Sequence, residues 1–409
     1  MATLIKKLLQ GLKSFLKKIH HAIPPEVRNV YMPVAAKCLY FFQSHLNAFF
    51  PMVVLYEGLE RQSGKPLSFV YAGDIHQMQN YWDHVILGDG FRKRPLGRRF
   101  FGKIVAQIRK AFPDCGFVIM EQSSLTIPFL KKNPGFSIPF WVRTEIDIRE
   151  PMSKLFGQQR SDKERRIRKN KLSYEMTKDP KHFHDFYYNM HVPYVKDRYT
   201  DAAGVDSYES LLKAIPISEI LLIKKEDKTI AGALVEFRDG KAMLRKLGIV
   251  DANMEYVRFG AIGAIYYFMV QELKKRGYNV MDIGGARPLL NDGLTHYKIS
   301  LEARLCKENE LHSCVRFMVL RNSEGARSFL THNPFLFKNR RKKLCSAVFV
   351  ENNGQLSSKA LNDMITSSYC EGAAEIRIYA FGDQNAMEAP SLCAHQPVSI
   401  QSAEELING

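Results

Sequence analysis

The stretch from Tyr256 to Arg304, YVRFGAIGAIYYFMVQELKKRGYNVMDIGGARPLLNDGLTHYKISLEAR, constrains the fold more than any other. From about Ala261 its apolar residues occupy nearly every helical face until Gln271, Glu272, Lys274 and Lys275, which predicts a largely buried helix with a polar, cationic end. Gly277 stops that helix, and NVMDIGG then reads as a short strand bounded by glycines, with Asp282 its one acid. An acid at the mouth of an open α/β sheet sits where such folds bind ligands. Gly260 and Gly263 fall where a loop becomes the helix, so the free amides of the first turn can face an anion. Close packing of the helix explains the same two glycines without a ligand.

A chain of 409 residues has room for two or three domains. Its net charge of +17 is concentrated in four clusters, at 1–30, 92–110, 154–171 and 338–343, a distribution that predicts anionic partners: phosphates, anionic lipid or nucleic acid. The seven cysteines are odd in number, widely spread and free of C-x-x-C spacing, so the expectation is a reducing compartment and no metal site. His182, His184 and His191 read as surface and packing residues.

In residues 4–23 an apolar stripe alternates with Lys6, Lys7, Lys13, Lys17 and Lys18, which predicts a basic amphipathic helix (1–30) ended by Pro24 and Pro25. Lysines interrupt it too often for a membrane span, so it either lies on an anionic membrane surface through residues 1–23 or packs on the protein's own core. Residues 82–121 repeat the plan of the organising stretch. A cationic glycine loop, an apolar helix and a short strand ending in an acid follow one another, and aligning Gly116 with Gly277 sets Gly102 against Gly263 without a gap. The strand FWVRTEIDI leads into the basic run RSDKERRIRKNK, which by itself reads as a solvated helix face. Helices rich in Tyr and His come next, then the strands LLIKKEDKTIAGALVEF and KAMLRKLGIV.

This order, with a cationic glycine loop between a strand and a helix, resembles the GNAT superfamily of acyl-CoA N-acyltransferases. The series FWVRTEIDI, KERRIRKNK, MDIGG and GLTHYK is similar more narrowly to its Fem-type (FemAB-like) branch, over about residues 60–305. The resemblance implies an α/β (α+β) chain of two tandem GNAT-like modules with mixed central sheets and flanking helices, at 31–150 and 151–310. A C-terminal α/β extension at 311–382 would enlarge the second module or pack across its edge, and the tail 383–409 reads as disordered. The family's pyrophosphate loop implies Arg258, Gly260, Gly263 and Ala264 as donor-binding residues, although the first glycine follows the arginine by two residues rather than three. The lysine of the Fem-type pattern corresponds to Lys298. That lysine can stabilise an oxyanion or the donor phosphates, or simply pair with Asp282. Tyr297 can protonate a departing thiolate or merely pack, and Asp282 can orient the nucleophile.

What the resemblance implies is a cytoplasmic acyltransferase, peripheral at the inner face of the cell membrane. It would move an acyl group from acetyl-CoA or another acyl-CoA to an amine or hydroxyl of a cell-envelope or exopolysaccharide precursor. Direct attack is the expected mechanism, since the chain has no G-x-S-x-G elbow. Two alternatives stay open. One is a Fem-type peptidyltransferase with aminoacyl-tRNA as donor, its RNA held by the clusters at 92–110 and 160–171; the other is a membrane-surface adaptor without catalysis.

Overall fold

The computed structural model describes residues 14, 47–123, 126–127, 135–199, 205–238, 240–306, 314–352, 357–382 and 396–408. Apart from Ser14, the amphipathic stretch 4–23 expected to meet a membrane lies outside them. Among the described residues seventeen strands form two mixed sheets. The first sheet contains β1 (Met52–Leu59), β2 (Pro66–Ala72), β3 (Arg92–Arg98), β4 (Phe117–Gln122) and β5 (Phe136–Pro139). After Phe140 and Trp141 the chain crosses to the second sheet, which holds β6 (Val142–Asp147), β7 (Leu172–Thr177), β8 (Ser218–Lys225), β9 (Lys228–Arg238), β10 (Lys241–Ile249), β11 (Val280–Ala286) and β12 (Arg304–Leu305). It then returns to the first for β13 (Cys314–Val319), β14 (Phe335–Lys338), β15 (Leu344–Asn352), β16 (Ile376–Gly382) and β17 (Val398–Ser402). The helices used below are α1 (His76–Ile86), α2 (Ile104–Ala111), α3 (Arg160–Lys169), α4 (Val192–Tyr199), α5 (Met254–Phe259), α6 (Ala261–Lys275), α7 (Gly293–Ile299), α8 (Glu324–His332) and α9 (Ser358–Ser367).

The C-terminal strands correct the expected division of the chain. They do not extend the second module but complete the first, in the order β17-β16-β15-β14-β5-β13-β4-β2-β1-β3. The reason is burial: Phe117 to Met120 of β4 are all inaccessible, so this strand needs a partner on each edge. It finds β2 in parallel on one side and β13 antiparallel on the other, in register from Cys314↔Gln122 to Val319↔Phe117. Residues 142–305 are therefore an insertion within the first sheet's chain, and FWVRTEIDI, read as part of the first module, supplies β6 to the second sheet. The tail expected to be disordered also contributes, because Val398–Ser402 pairs in parallel with β16. The two glycine-loop segments share their element order but not their neighbours: α6 joins adjacent strands β10 and β11, whereas α2 joins β3 and β4, which stand three places apart.

The second sheet runs β12-β6-β11-β10-β9-β8-β7 and is antiparallel except for β10 with β11. Ala261, Ala264, Ile265, Met269, Val270 and Leu273 of α6 are fully buried against it, as the all-round apolar pattern requires. On β9 and β10 the cross-strand pair Gly232↔Gly248 makes a flat site for a π-helical turn, Phe186–His191. A Cβ on Gly248 would lie 2.4 Å from the Met190 carbonyl carbon and 2.5 Å from the His191 amide nitrogen, both backbone atoms that cannot swing aside. His191 is buried there, with Nδ1 2.9 Å from the Leu247 carbonyl oxygen. Gly248→Ala is expected to destabilise the second unit by about 2–4 kcal/mol, through overpacking against backbone. Urea unfolding of the two proteins measures it, and an unchanged midpoint would disprove the contact.

Candidate functional site

β10 and β11 pair at only two positions, Ala242↔Met281 and Met243↔Asp282. Beyond them β10 continues with β9 and β11 continues with β6, so the parallel pair opens into a cleft with Asp282 at its apex. The opening coincides with a β-bulge. Between Asp282↔Glu145 and Gly285↔Arg143, β11 advances one residue more than β6, and Gly284 takes φ +77°, which a side chain would strain.

A bulge frees backbone carbonyls, and three of those in β11 are met by side chains. Lys298 Nζ donates to Ile283 O at 2.6 Å and to Gly285 O at 2.7 Å, while Thr144 Oγ1 donates to Gly284 O at 2.9 Å. Asp292 caps α7, accepting from the amides of Leu294 and Thr295 at 3.0 and 3.2 Å, and so holds Lys298 in that position. Lys298 is 3% exposed; loss of hydration brings its pKa down to about 8, against a smaller upward pull from Asp282. Two of its N–H groups meet the two carbonyls. Lys298 therefore lies buried and ties the bulge together, rather than standing exposed in an open cleft. No hydrogen bond joins it to Asp282 among the described residues. Asp282 instead pairs with Arg143 and accepts from the Gly284 amide at 2.8 Å.

The two glycines lie against α3. Gly260 ends α5 with φ +100° and begins α6, but the space beside it belongs to α3: a Cβ on Gly260 would lie 2.9 Å from Arg166 Cβ, and one on Gly263 would lie 3.3 Å from Lys163 Cγ. Arg166 Nη1 donates to Arg258 O at 3.0 Å and Asn170 Nδ2 to Phe259 O at 2.9 Å, so α3 satisfies the carbonyls at the helix break. On their side-chain side both glycines thus meet α3 closely. Ala264 is fully buried, and Arg258 is exposed.

What α3 brings is a cation the sequence reading overlooked. Lys163 is 7% exposed and donates to Gln159 Oε1 at 2.5 Å. Gln159 bonds Ser300 Oγ at 2.6 Å, and Ser300 in turn donates to the Tyr297 carbonyl at 2.6 Å. The Lys163 ammonium lies 5.7 Å from the centre of the Tyr297 ring, and burial lowers its pKa to about 8. Tyr297 is half-buried, meets Tyr266 edge-on at 5.7 Å, and has its phenol pKa driven upward by burial. Of the residues singled out in the sequence, Tyr297, Lys298 and Asp282 therefore share the β11–α7 region, while Arg258, Gly260, Gly263 and Ala264 lie at the α5–α6 junction. Arg143, Thr144 and Lys163 were missed; the one legible trace was the helical spacing of Gln159, Lys163 and Ile167. Among the described residues no three His, Cys, Asp or Glu side chains are placed to hold a metal, and no helix is long and apolar enough to cross a membrane.

No family model matches the chain, and no curated protein does. Among solved structures it is similar to FemX, at 12% identity over 61% of this chain and 80% of that one, with a TM-score of 0.34. It is also similar to the C-terminal DUF2156 domain of a lysylphosphatidylglycerol synthetase from Agrobacterium fabrum, described there as putative, at 11% identity over 68% and 86% with a TM-score of 0.32. A GCN5-related N-acetyltransferase from Sphaerobacter thermophilus gives 11% over 66% and 78%, with a TM-score of 0.30. At such identities and TM-scores these are likenesses in outline, and they assign the chain neither a family nor an activity.

Proposed function

We propose that the cleft between β10 and β11 transfers an acyl group from an acyl-CoA thioester, acetyl-CoA being the simplest, to an amine or hydroxyl of a cell-envelope type acceptor. The divergence of these two parallel strands after Met243 and Asp282 carries the reading. It leaves one edge of β10 without a strand partner among the described residues, and an extended amide chain can pair with such an edge. Lys163 and Arg166, beside the first turn of α6, supply positive charge for the donor phosphates. The Tyr297 phenol keeps its proton, as a donor to the departing thiolate must. In this reading Asp282, fixed by Arg143 and the Gly284 amide, accepts a hydrogen bond from the attacking group. A thioester is already activated, so positioning provides most of the acceleration.

Thiol release measured with acetyl-CoA and longer acyl-CoAs over a panel of amines and hydroxyl compounds tests this. Acceptor-dependent release is expected; absence of both release and calorimetric CoA binding would sink it. Arg165, Arg168 and Lys169, exposed along α3 near the cleft, favour a second reading in which the donor is aminoacyl-tRNA. Tight, steeply salt-dependent binding of charged tRNA would select that reading. Binding of neither donor would leave a non-catalytic adaptor.

A further inference from the structure

One end of the first sheet gathers exposed apolar side chains that the acyl-transfer reading does not use. We propose that this rim, formed by the turns after β2, β3 and β4, docks on an anionic lipid bilayer, with Ile75, Phe100 and Ile127 entering the bilayer interface and Arg99 and Lys103 meeting the headgroups. Four neighbouring strands, in the order β4-β2-β1-β3, bring Gln122, Ala72, Met52 and Arg98 to the same end, as the pairs Ala72↔Met120, Val53↔Ala72 and Met52↔Arg98 require. At a strand spacing of about 4.8 Å these four ends span roughly 15 Å. Just beyond them Ile75 is 41%, Phe100 39% and Ile127 46% exposed. They are three of the eight large hydrophobic side chains exposed among the described residues. Single exposed apolar residues are ordinary, but a group of them at one rim marks a contact surface.

The backbone that displays them is pinned. Glu121 accepts from the Ile75 amide at 2.8 Å, the Asp74 amide at 3.1 Å and the Tyr71 hydroxyl at 2.7 Å, and a Cβ on Gly73 would lie 2.2 Å from Glu121 Cδ. Arg98 donates to Phe50 O at 2.7 Å and pairs with Asp74 at 2.7 Å, while the Phe50 and Phe100 ring centres stand 5.6 Å apart. Asp74 and Glu121, the acids of these turns, are thus engaged inside the fold. Arg99 and the exposed Lys103 flank the turn of Phe100, and exposed Arg109 and Lys110 on α2 carry the same sign. Apolar side chains beside cations match a bilayer surface, where apolar groups sink to the acyl-chain boundary and cations meet anionic headgroups. A nucleic acid would use the cations and leave the three apolar side chains without a role. The chain reaches β1 through residues 1–46, so the basic amphipathic sequence at 4–23 is joined to the fold at this same rim.

Tryptophan quenching by phosphatidylglycerol vesicles brominated on the acyl chains tests the rim in the full chain. Phe100→Trp reports on it, and Leu59→Trp, exposed at the opposite end of β1, is the control. The signal is the difference from the wild type, whose two tryptophans are the buried Trp82 and Trp141. Quenching of the added indole is expected in Phe100→Trp and not in Leu59→Trp. The triple variant Ile75→Ser, Phe100→Ser, Ile127→Ser should bind anionic vesicles about tenfold or more weakly with the urea midpoint unchanged, since all three side chains are exposed. No quenching in Phe100→Trp, equal quenching in Leu59→Trp, wild-type vesicle affinity in the triple variant, or equal binding to neutral phosphatidylcholine vesicles would each overturn the assignment. If the Phe100→Trp indole emits as a buried one without vesicles and stays unquenched with them, residues 1–46 or a second copy cover the rim, sedimentation tells which, and the bilayer is rejected. The quenching comparison decides whether or not the triple variant folds.

Discussion

Lys298→Met is expected to lower the stability of the second unit by about 3 kcal/mol, because it removes both donors from two buried carbonyls at nearly constant side-chain volume. Ile283 O and Gly285 O both accept from Lys298, so the bulge around Gly284 loses two hydrogen bonds with that side chain. A catalytic lysine would behave in the opposite way: turnover would vanish while the unfolding midpoint stayed in place. Urea unfolding followed by tryptophan fluorescence and far-ultraviolet circular dichroism separates the two. The pH dependence adds a second signature. Unfolded Lys298 keeps its proton to its ordinary 10.5, but the folded lysine releases it near 8. Between those values the unfolded chain binds more protons, so the contribution of Lys298 to stability rises with pH. The wild-type advantage over Lys298→Met should therefore be smallest below pH 8 and grow toward 10.5; a flat difference would mean that the buried amine does not titrate there.

Under the proposed acyl transfer, Lys163→Met is expected to leave stability nearly unchanged and to raise the KM for acyl-CoA about tenfold or more with little change in kcat, because it removes a charge proposed to meet the donor phosphates. The side chain makes one hydrogen bond, to Gln159, and burial makes its ammonium costly to keep, so little folding energy is lost with it. Only the protonated lysine attracts an anion. Affinity for the donor should fall in the wild type as pH rises through about 8 and should lack that step in Lys163→Met, while Lys163→Arg should restore affinity and keep it above pH 8. If the KM and its pH profile are the same in all three proteins, α3 is packing alone and the phosphates bind elsewhere.

The helix and strand of the organising stretch were legible because their signals are local. An apolar surface on every face of residues 261–273, a glycine stop and a glycine-bounded β run are written in consecutive residues, and α6 and β11 appear where they predict. Asp282, Tyr297 and Lys298 were also brought into one region, since a short loop and one turn of helix separate them. Their roles were not legible. Whether Lys298 faces a substrate or a carbonyl depends on the one-residue bulge opposite Arg143 and Glu145, and those residues stand more than a hundred positions earlier in the chain.

The same division holds for the fold. Sequence by itself determined an α/β chain with a buried helix leading into a strand-end acid, since periodicity and glycine placement act over a few residues. Tertiary structure alone decided that β13 lies between β4 and β5, that residues 142–305 are an insertion, and that Arg166 and Lys163 fill the space at Gly260 and Gly263. Strand edges and helix faces carry no label for their partners. Pairing is set by the need to satisfy every buried backbone group and fill every buried volume at once, and that condition exists only when distant segments meet.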